Sequence, residues 1–262
     1  MMLLTHLILL AIPTSQGSVQ ECADTPCLTV FTQHDRVELQ ANTFQSNRQL
    51  DPALAADQGG NLLTVWGSRR QEVGTFGVFA QLSDPRGRAL TTEIHVNTTL
   101  PGFQGRPSVT FLQDGSAWIA WQSLSPAPSE CGIFARHFGW LSDENGTRSF
   151  GPLSSEVCLH ADVGDSPADA VVQAIAGGTE WLVAWASDNP DRTRNLYARR
   201  YDASGAPVSE AFRLGDAALR ESLVSLDSTP LGLVAVWGEQ DFSGNPLRLA
   251  GALLHEGKIA QR

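Results

Sequence analysis

Acidic and basic side chains recur in two sets of loops that flank a repeated strand pattern. Carboxylates in such loops could act as a pair across a glycosidic bond, as glycoside hydrolases require. Arginines there could bind carboxylates or acidic sugars through their planar guanidinium groups. Alternatively, the arginines pair with neighbouring acids and hold adjacent repeats together. The candidates are Arg48, Asp51, Arg106, Asp165, Arg220 and Glu221 in one set, and Arg69, Arg70, Gln122, Asp188, Glu239 and Asp241 in the other.

Other common catalytic and metal-binding motifs are missing from the sequence. It has no His-Glu-x-x-His, no Gly-x-Ser-x-Gly and no phosphate-binding loop. Residues 113–118 carry the Asp and Trp of a sialidase Asp-box with the wrong glycine spacing. The oxygen-rich loop at residues 187–191 lacks the spacing of a calcium loop and is interpreted as a solvated turn. We therefore expect no metal and no cofactor, and the sequence assigns no catalytic residue.

Charge and hydropathy limit the partners and the location of the protein. The 262-residue chain has a formal net charge of −10, which disfavours binding to nucleic acid or to anionic membranes. An apolar run at residues 2–12, followed by Ser15 and Gly17, predicts a signal peptide over residues 1–17 and a secreted or periplasmic protein. No second apolar run is long enough for a membrane helix. We expect a monomer that binds an extracellular glycan or protein.

Export would permit disulfide bonds between the four cysteines. Cys22 and Cys27 lie in one short loop, and Cys131 and Cys158 lie at the two ends of one predicted hairpin. We predict bonds within each of these two pairs. A zinc site would need more closely spaced cysteine pairs and clustered histidines, which the sequence lacks.

A short apolar run that ends in tryptophan occurs four times along the chain. The closing residues are Trp66, Trp121, Trp185 and Trp237, which are 55, 64 and 52 residues apart. A repeat of this length is typical of a four-stranded propeller blade. In each unit an extended segment precedes the run, and a third strand with a small residue and a fourth strand follow it. We predict that the four tryptophans pack between blades, although a Trp face could also stack on a sugar ring.

The best-preserved segments of the repeat are residues 178–185, 196–205 and 94–97. They resemble the repeats of secreted bacterial β-propeller proteins, which have the pattern Asp-Gly-x-x-Val-x-Trp followed by Ile-x-Ala-Gln-Arg-Tyr-Asp-x-x-Gly. The resemblance covers most of residues 50–255. It implies a β-propeller and supplies no catalytic residues.

The ends of the repeat region bear on how the ring closes. Residues 36–42 have the pattern of an outer strand without a blade of its own, and this strand could complete the last blade beside the strand near Leu249. We therefore predict a closed propeller of four blades over residues 36–262, preceded by an N-terminal segment at 18–35. Residues 30–33 resemble the third strand of a unit, so five blades or a fragment of a larger ring are alternatives.

Three functions are compatible with these features. We expect a secreted non-enzymatic binding module, with a glycan as one candidate ligand at one face of the ring. The alternatives are a propeller-type glycoside hydrolase that uses carboxylates at the channel mouth, and a purely structural repeat module. Trp140 lies outside the repeat pattern in a predicted turn, so we expect it to be the most exposed tryptophan and either a binding aromatic or a loop anchor.

Overall fold

The computed structural model describes residues 40–72, 75–98, 102–124, 131–159, 166–188, 193–215, 220–229, 231–241, 245–255 and 258–261. These residues form an all-β fold, a β-propeller of antiparallel blades, as the repeat predicts. The predicted signal peptide, the Cys22–Cys27 pair, most of residues 36–42 and Asp165 lie outside the described residues.

Each described blade is a meander whose strands follow one another along the chain. Blade 1 contains β1 (Gln49–Ala56), β2 (Leu62–Arg69), β3 (Phe76–Ser83) and β4 (Ile94–His95). Blade 2 contains β5 (Phe103–Phe111), β6 (Ala117–Leu124), β7 (Ile133–Ser142), β8 (Arg148–Pro152) and β9 (Val157–Cys158). Blade 3 contains β10 (Ser166–Ile175), a 3₁₀ turn (Ala176–Gly178), β11 (Glu180–Asp188), β12 (Arg194–Asp202) and β13 (Phe212–Arg213). Blade 4 contains β14 (Arg220–Thr229), β15 (Gly232–Gln240), β16 (Pro246–His255) and β17 (Lys258–Gln261).

The first strands of the blades lie side by side in the order β1, β5, β10, β14. At one end of the molecule the first strands begin, the second strands end and the third strands begin, and we call this end the entry rim. Single parallel bridges at this rim join the third strand of one blade to the first strand of the next, between Phe76 and Phe103 and between Arg194 and Arg220. The loops that carry the predicted site residues therefore lie at one end of the molecule.

Apolar side chains between neighbouring blades form three buried clusters. One lies between blades 1 and 2, one between blades 2 and 3, and one between blades 3 and 4. Trp121, Trp185 and Trp237 are buried one in each cluster, and each faces the preceding blade. This confirms the predicted packing role of these three tryptophans. A sheet that lies between two neighbouring blades buries both of its faces, so both faces carry apolar residues.

The four described blades form an arc with two unpaired faces. Among the described residues no buried cluster joins blade 4 to blade 1, and β14 does not pack along β1. Leu54 in β1 is 52% exposed and Leu249 in β16 is 79% exposed. Leu54 faces away from blade 2, and Leu249 faces away from blade 3. The number of blades in the complete ring stays a prediction.

The predicted closure of the last blade by an N-terminal strand is wrong in its described part. The strand that pairs with β16 is β17, which follows it in sequence and in which Lys258 pairs with His255. Residues 40–42 are not in a strand. A hairpin partner that follows directly in sequence is reached at little entropic cost, which favours it over a strand from the far end of the chain.

The predicted disulfide bond between Cys131 and Cys158 is present in blade 2. Cys131 precedes β7, and Cys158 lies in β9, which pairs with β7. The bond therefore fastens the outermost strand of blade 2 to the start of its third strand.

Candidate active site

The first strand of every described blade carries a β-bulge near the entry rim. In blades 1 to 3 the bulged residue has a left-handed backbone: Asp51 has φ 51°, Arg106 has φ 50° and Asp169 has φ 54°. Residues with a Cβ seldom adopt this region, and such strain is concentrated at functional sites. The fold thus places a charged side chain at one equivalent, strained position in three consecutive blades.

Asp169 is the centre of an ion-pair cluster that spans blades 2 and 3. Its Oδ1 accepts a hydrogen bond from Nη1 of Arg106, and its Oδ2 lies 2.6 Å from Nη2 of Arg194. Arg194 also reaches Asp188, with 3.7 Å between Nη1 and Oδ2. One guanidinium group therefore bridges the carboxylates of Asp169 and Asp188.

Blade 4 contributes Arg220 to the same cluster. Its Nη2 lies 3.4 Å from Oδ1 of Asp188. Arg194 and Arg220 are also direct partners across the parallel bridge between β12 and β14, so two positive charges lie side by side. Asp188 pairs with both guanidinium groups, and Asp169 adds a second negative charge beside Arg194. Arg106 and Arg220 thus form ion pairs between neighbouring blades, as one of the two sequence interpretations predicts. The same side chains concentrate charge at the entry rim.

Glu221 and Glu239 are not at the mouth, because both side chains are buried within blade 4. They are direct partners across β14 and β15. Oε2 of Glu221 accepts a hydrogen bond from the Leu196 backbone N–H at 3.1 Å, and Oε2 of Glu239 lies 2.5 Å from Nε of Arg248. A Cβ added to Gly215 would lie 1.6 Å from Oε1 of Glu221, so this carboxylate fits only beside glycine. Glu221 thus joins blade 4 to blade 3, whereas Glu239 forms an ion pair within blade 4.

Asp241 follows β15 of blade 4 and accepts a hydrogen bond from the Asn245 N–H at 2.9 Å. The other predicted residues of the rim lie on blades 1 and 2. Arg48 and Asp51 are exposed, Arg69 is half-buried, and the Arg69 N–H donates to the Arg48 carbonyl at 2.9 Å. Asp51 has no ion-pair partner in the part of the chain that the structure describes. Gln122 is buried, with its Nε2 at 3.5 Å from the Pro167 carbonyl oxygen. The structure therefore groups Arg106, Asp188 and Arg220, and leaves Asp51 accessible one blade away.

Trp140 lies in β7 rather than in the predicted turn. Its ring packs edge-on against Phe150 at 5.6 Å between centroids, and the Arg148 guanidinium carbon lies 4.9 Å from its ring centroid. It is half-buried, and the other six tryptophans are buried, so it is the most exposed of the seven. These contacts fit an anchor on the outer edge of blade 2, on a different part of the molecule from the charge cluster.

Two central members of the cluster, Asp169 and Arg194, were missed by sequence reasoning. Asp169 directly precedes the predicted strand at residues 170–175, and Arg194 lies at the start of a third strand. A signal existed: Asp51 and Arg106 each precede the closing Trp of their unit by 15 residues, and Asp169 precedes Trp185 by 16. The extra residue belongs to the 3₁₀ turn at Ala176–Gly178. It shifts Asp169 by one position when the units are aligned on their closing Trp.

A cavity of about 890 Å³ lies at the opposite rim, between blades 3 and 4. Its lining includes Ile175, Arg200, Thr229 and Leu254, and no carboxylate. It could not supply the pair of acids that glycoside hydrolysis requires. No helix in the described part of the chain is long and apolar enough to cross a membrane.

Comparisons with known proteins are informative at the level of structure. No protein-family model and no curated protein matches the sequence. A protein of unknown function from Dyadobacter fermentans aligns with TM-score 0.58 and 11% identity over 84% of this chain and 69% of that chain. The GH93 α-L-arabinofuranosidase of Fusarium graminearum, solved with arabinobiose, aligns with TM-score 0.56 and 13% identity over 86% of this chain and 69% of that chain. The α-L-arabinanase of Penicillium chrysogenum, also solved with arabinobiose, aligns with TM-score 0.51 and 14% identity over 84% of this chain and 67% of that chain.

These similarities correct the expectation of a non-enzymatic binding module. The two named enzymes are glycoside hydrolases built as five-bladed β-propellers. At this level of identity the likeness shows the fold alone. Together with the carboxylates at the entry rim, it favours the glycoside hydrolase alternative over a module without catalysis.

Proposed function

We propose that this protein is a glycoside hydrolase that cleaves arabinose-containing glycans at the entry rim. The observation that carries the proposal is the repeated bulge: Asp51 in blade 1 and Asp169 in blade 3 occupy equivalent strained positions. They flank Arg106 on the blade between them. Two carboxylates that approach one bond from different blades are what hydrolysis of a glycosidic bond requires. The arabinobiose-bound enzymes of similar fold support the choice of sugar.

The surroundings of the two acids suit different roles. Asp169 is held by Arg106 and Arg194, which fix its orientation, so we assign it as the anionic base or nucleophile beside the sugar. Asp51 is exposed and has no cationic partner among the described residues, so we assign it as the second carboxyl group, which would protonate the leaving group. Asp188 orients Arg194 and Arg220.

Three arginines on blade 1 favour a substrate that bears carboxylates. Arg48, Arg69 and Arg70 lie together at the entry rim of an otherwise acidic protein, and the described part of the chain gives them no ion-pair partner. Exposed guanidinium groups bind carboxylates through paired hydrogen bonds. We infer that a glycan containing uronic acid residues binds along blade 1, with the scissile bond toward Asp51.

The assigned roles predict different behaviour of two variants. Hydrolysis of aryl α-L-arabinofuranosides and arabino-oligosaccharides should fall at least about 100-fold in both Asp51→Asn and Asp169→Asn, since each loses one of the two acid–base functions. An arabinofuranoside with a dinitrophenyl leaving group needs no proton from the enzyme. Asp51→Asn should therefore hydrolyse this substrate, whereas Asp169→Asn should stay inactive on it. Asp227→Asn, an exposed position at the opposite rim, is the matched control and should keep full activity.

Two outcomes would reject the proposal and its substrate separately. A wild-type protein that hydrolyses none of these substrates contradicts the hydrolase. Binding of polygalacturonate that is unchanged in Arg48→Gln/Arg69→Gln contradicts the anionic substrate alone.

We also propose that the protein is exported after cleavage behind Gly17, which amino-terminal sequencing of the mature chain tests.

A further inference from the structure

A column of four stacked rings fills the space between blades 2 and 3 near the opposite rim. Successive ring centroids are 4.7, 4.6 and 4.5 Å apart along the series His137, Trp118, Trp181 and Tyr201. The planes of His137 and Trp118 differ by only 1°, and both tryptophans are fully buried. Rings at these distances are in contact, so this interface has no room for a further molecule.

The space between blades 3 and 4 carries side chains without aromatic rings at the four equivalent positions. Strand register and the distance to the closing Trp of each unit define the equivalence. The cross-strand pairs Trp118–His137 and Trp181–Tyr201 of the column recur one blade later as Leu182–Arg200 and Leu233–Leu254. Three leucines and one arginine therefore occupy the positions of four rings, and the cavity of about 890 Å³ lies at this interface.

The 3₁₀ turn of blade 3 forms a fixed wall of this cavity. It is tied to blade 2, because the Gln113 N–H donates to the Gly178 carbonyl at 2.9 Å. A Cβ at Gly178 would lie 2.7 Å from the Gln113 nitrogen, so this contact needs glycine. Ala176, which lines the cavity, has a left-handed backbone with φ 51°. Such strained residues are concentrated at functional sites.

The lining combines an apolar floor with a polar bridge between the two blades. Leu233 and Leu254 are buried in the cluster between blades 3 and 4, and Ile175 packs against them. Above this floor, Nε2 of Gln173 in blade 3 donates to Oγ of Ser228 in blade 4 at 3.2 Å. A mostly apolar cavity of this size with a few polar groups is typical of small-molecule sites.

The charge and ring content of the lining limit the class of ligand. Glu180 holds the guanidinium group of Arg200 by its edge, with Nε at 3.1 Å and Nη2 at 2.5 Å from Oε2. The charge of Arg200 is thus compensated, which favours an uncharged ligand. The described lining residues include no Trp, Tyr or Phe on which a sugar could stack. A guanidinium plane and aliphatic side chains instead suit a ligand that brings its own aromatic ring.

We propose that this cavity binds a small uncharged aromatic compound. Its ring occupies the volume that Trp118 and Trp181 fill in the neighbouring interface. The ring packs on the leucines of the floor and stacks on Arg200, and the amide of Gln173 bonds a polar group on the ring. This site lies at the opposite rim from the proposed hydrolase site and does not depend on it.

Titration with indole tests the proposal, because indole is the uncharged ring system of a Trp side chain. The full-length wild-type protein should bind indole saturably at one site in isothermal titration calorimetry. Leu233→Trp supplies from the chain the ring that Trp181 supplies in blade 3, and it should weaken indole binding at least about 10-fold. Leu249→Trp, the same change on the exposed face of blade 4, is the matched control and should keep the wild-type affinity.

A second pair of variants gives a readout if Leu233→Trp folds poorly. Arg200→Gln removes the stacking cation and should weaken indole binding about two- to fivefold. Glu180→Gln removes the same ion pair but keeps the guanidinium group, so it should bind indole as the wild type does. Absence of saturable binding to the wild type, or unchanged binding in both Leu233→Trp and Arg200→Gln, overturns the proposal. Tighter binding of indole-3-acetate than of indole overturns the uncharged ligand.

Discussion

Blades 3 and 4 have the same strand register but opposite environments at corresponding positions. Leu249 in β16 pairs opposite Gly238, as Leu196 pairs opposite Ala186 in blade 3 and Ile133 opposite Gln122 in blade 2. Leu196 and Ile133 are 0% exposed, whereas Leu249 is 79% exposed. Leu54 in blade 1 shows the same contrast on the other side, at 52% against 2% for Val172 in blade 3. Both end faces of the arc therefore carry leucines at positions that are buried between blades elsewhere in the protein.

This difference shows that the repeat pattern makes the faces of each blade apolar whether or not a neighbouring blade covers them. Each blade carries the apolar residues that a neighbour would cover, including the end blades, which have no described neighbour there. Exposed apolar patches of this kind mark interaction surfaces in soluble proteins. The two end faces therefore define a gap between blades 4 and 1 among the described residues.

The largest expected effect is the contrast between two leucine truncations. Leu196→Ala removes a fully buried side chain from the cluster between blades 3 and 4 and should lower the free energy of unfolding by about 2 to 5 kcal/mol. Leu249→Ala, the same change at the same register position, should shift it by no more than about 0.5 kcal/mol. Urea unfolding measures both. Equal losses would mean that a neighbour covers blade 4.

The disulfide bond of blade 2 should have the next largest effect. Cys131 and Cys158 are 27 residues apart, so removing the bond with Cys131→Ser/Cys158→Ser frees a loop in the unfolded chain. We expect a loss of about 2 to 4 kcal/mol by the chain-entropy model. The thermal midpoint of the double variant, compared with the oxidised wild type, measures this loss. An unchanged midpoint would show that the cross-link contributes nothing to the stability of the middle blades.

The smallest expected effect concerns the turn after the third strand, which differs between blades 3 and 4. In blade 3 the hydroxyl of Ser204 donates to Asp202 and holds the pKa of its carboxyl below the ordinary value, against the opposing effect of burial and with help from the Ala206 N–H. Because the folded-state pKa is lowered, this stabilisation is present above the unfolded pKa of about 3.9 and is lost as the pH falls further. In blade 4 His255 occupies the same register position.

Acid titration of stability measures this effect. Below about pH 4 the wild-type protein should lose stability more steeply than Asp202→Asn, which no longer carries the titrating group. At neutral pH the variant should be the less stable of the two. Parallel acid profiles would show that the turn of blade 3 carries no charge-dependent stabilisation.

Much of the fold could be predicted from the sequence because it repeats. The spacing of Trp121, Trp185 and Trp237 identified the second strands and their burial, since each Trp must fill one interface between blades. The closure of blade 4 could not be predicted, because β17 has four residues and no apolar alternation that distinguishes it from a tail. The burial of Glu221 and Glu239 depends on partners from blade 3 and from β16, which local sequence does not reveal.

The candidate site was predicted only in part for a similar reason. Loop position located Arg106, Asp188 and Arg220, but the bulge that places Asp169 beside them depends on strand register. The polar residues that matter lie inside strands, where sequence reasoning expects packing. Aligning the bulge position across blades would have found Asp169, and the parallel bridge between β12 and β14 is what brings Arg194 to it.

Thiol reactivity tests the open arc most directly. Leu249→Cys and Leu196→Cys place one thiol at the same register position of blades 4 and 3, in a protein with no other free cysteine among its described residues. The open arc predicts that Leu249→Cys reacts with a soluble maleimide as fast as a small-molecule thiol, and that Leu196→Cys reacts only through opening of the fold. Equally slow labelling of both thiols would contradict the account, since it would place a covering blade over Leu249.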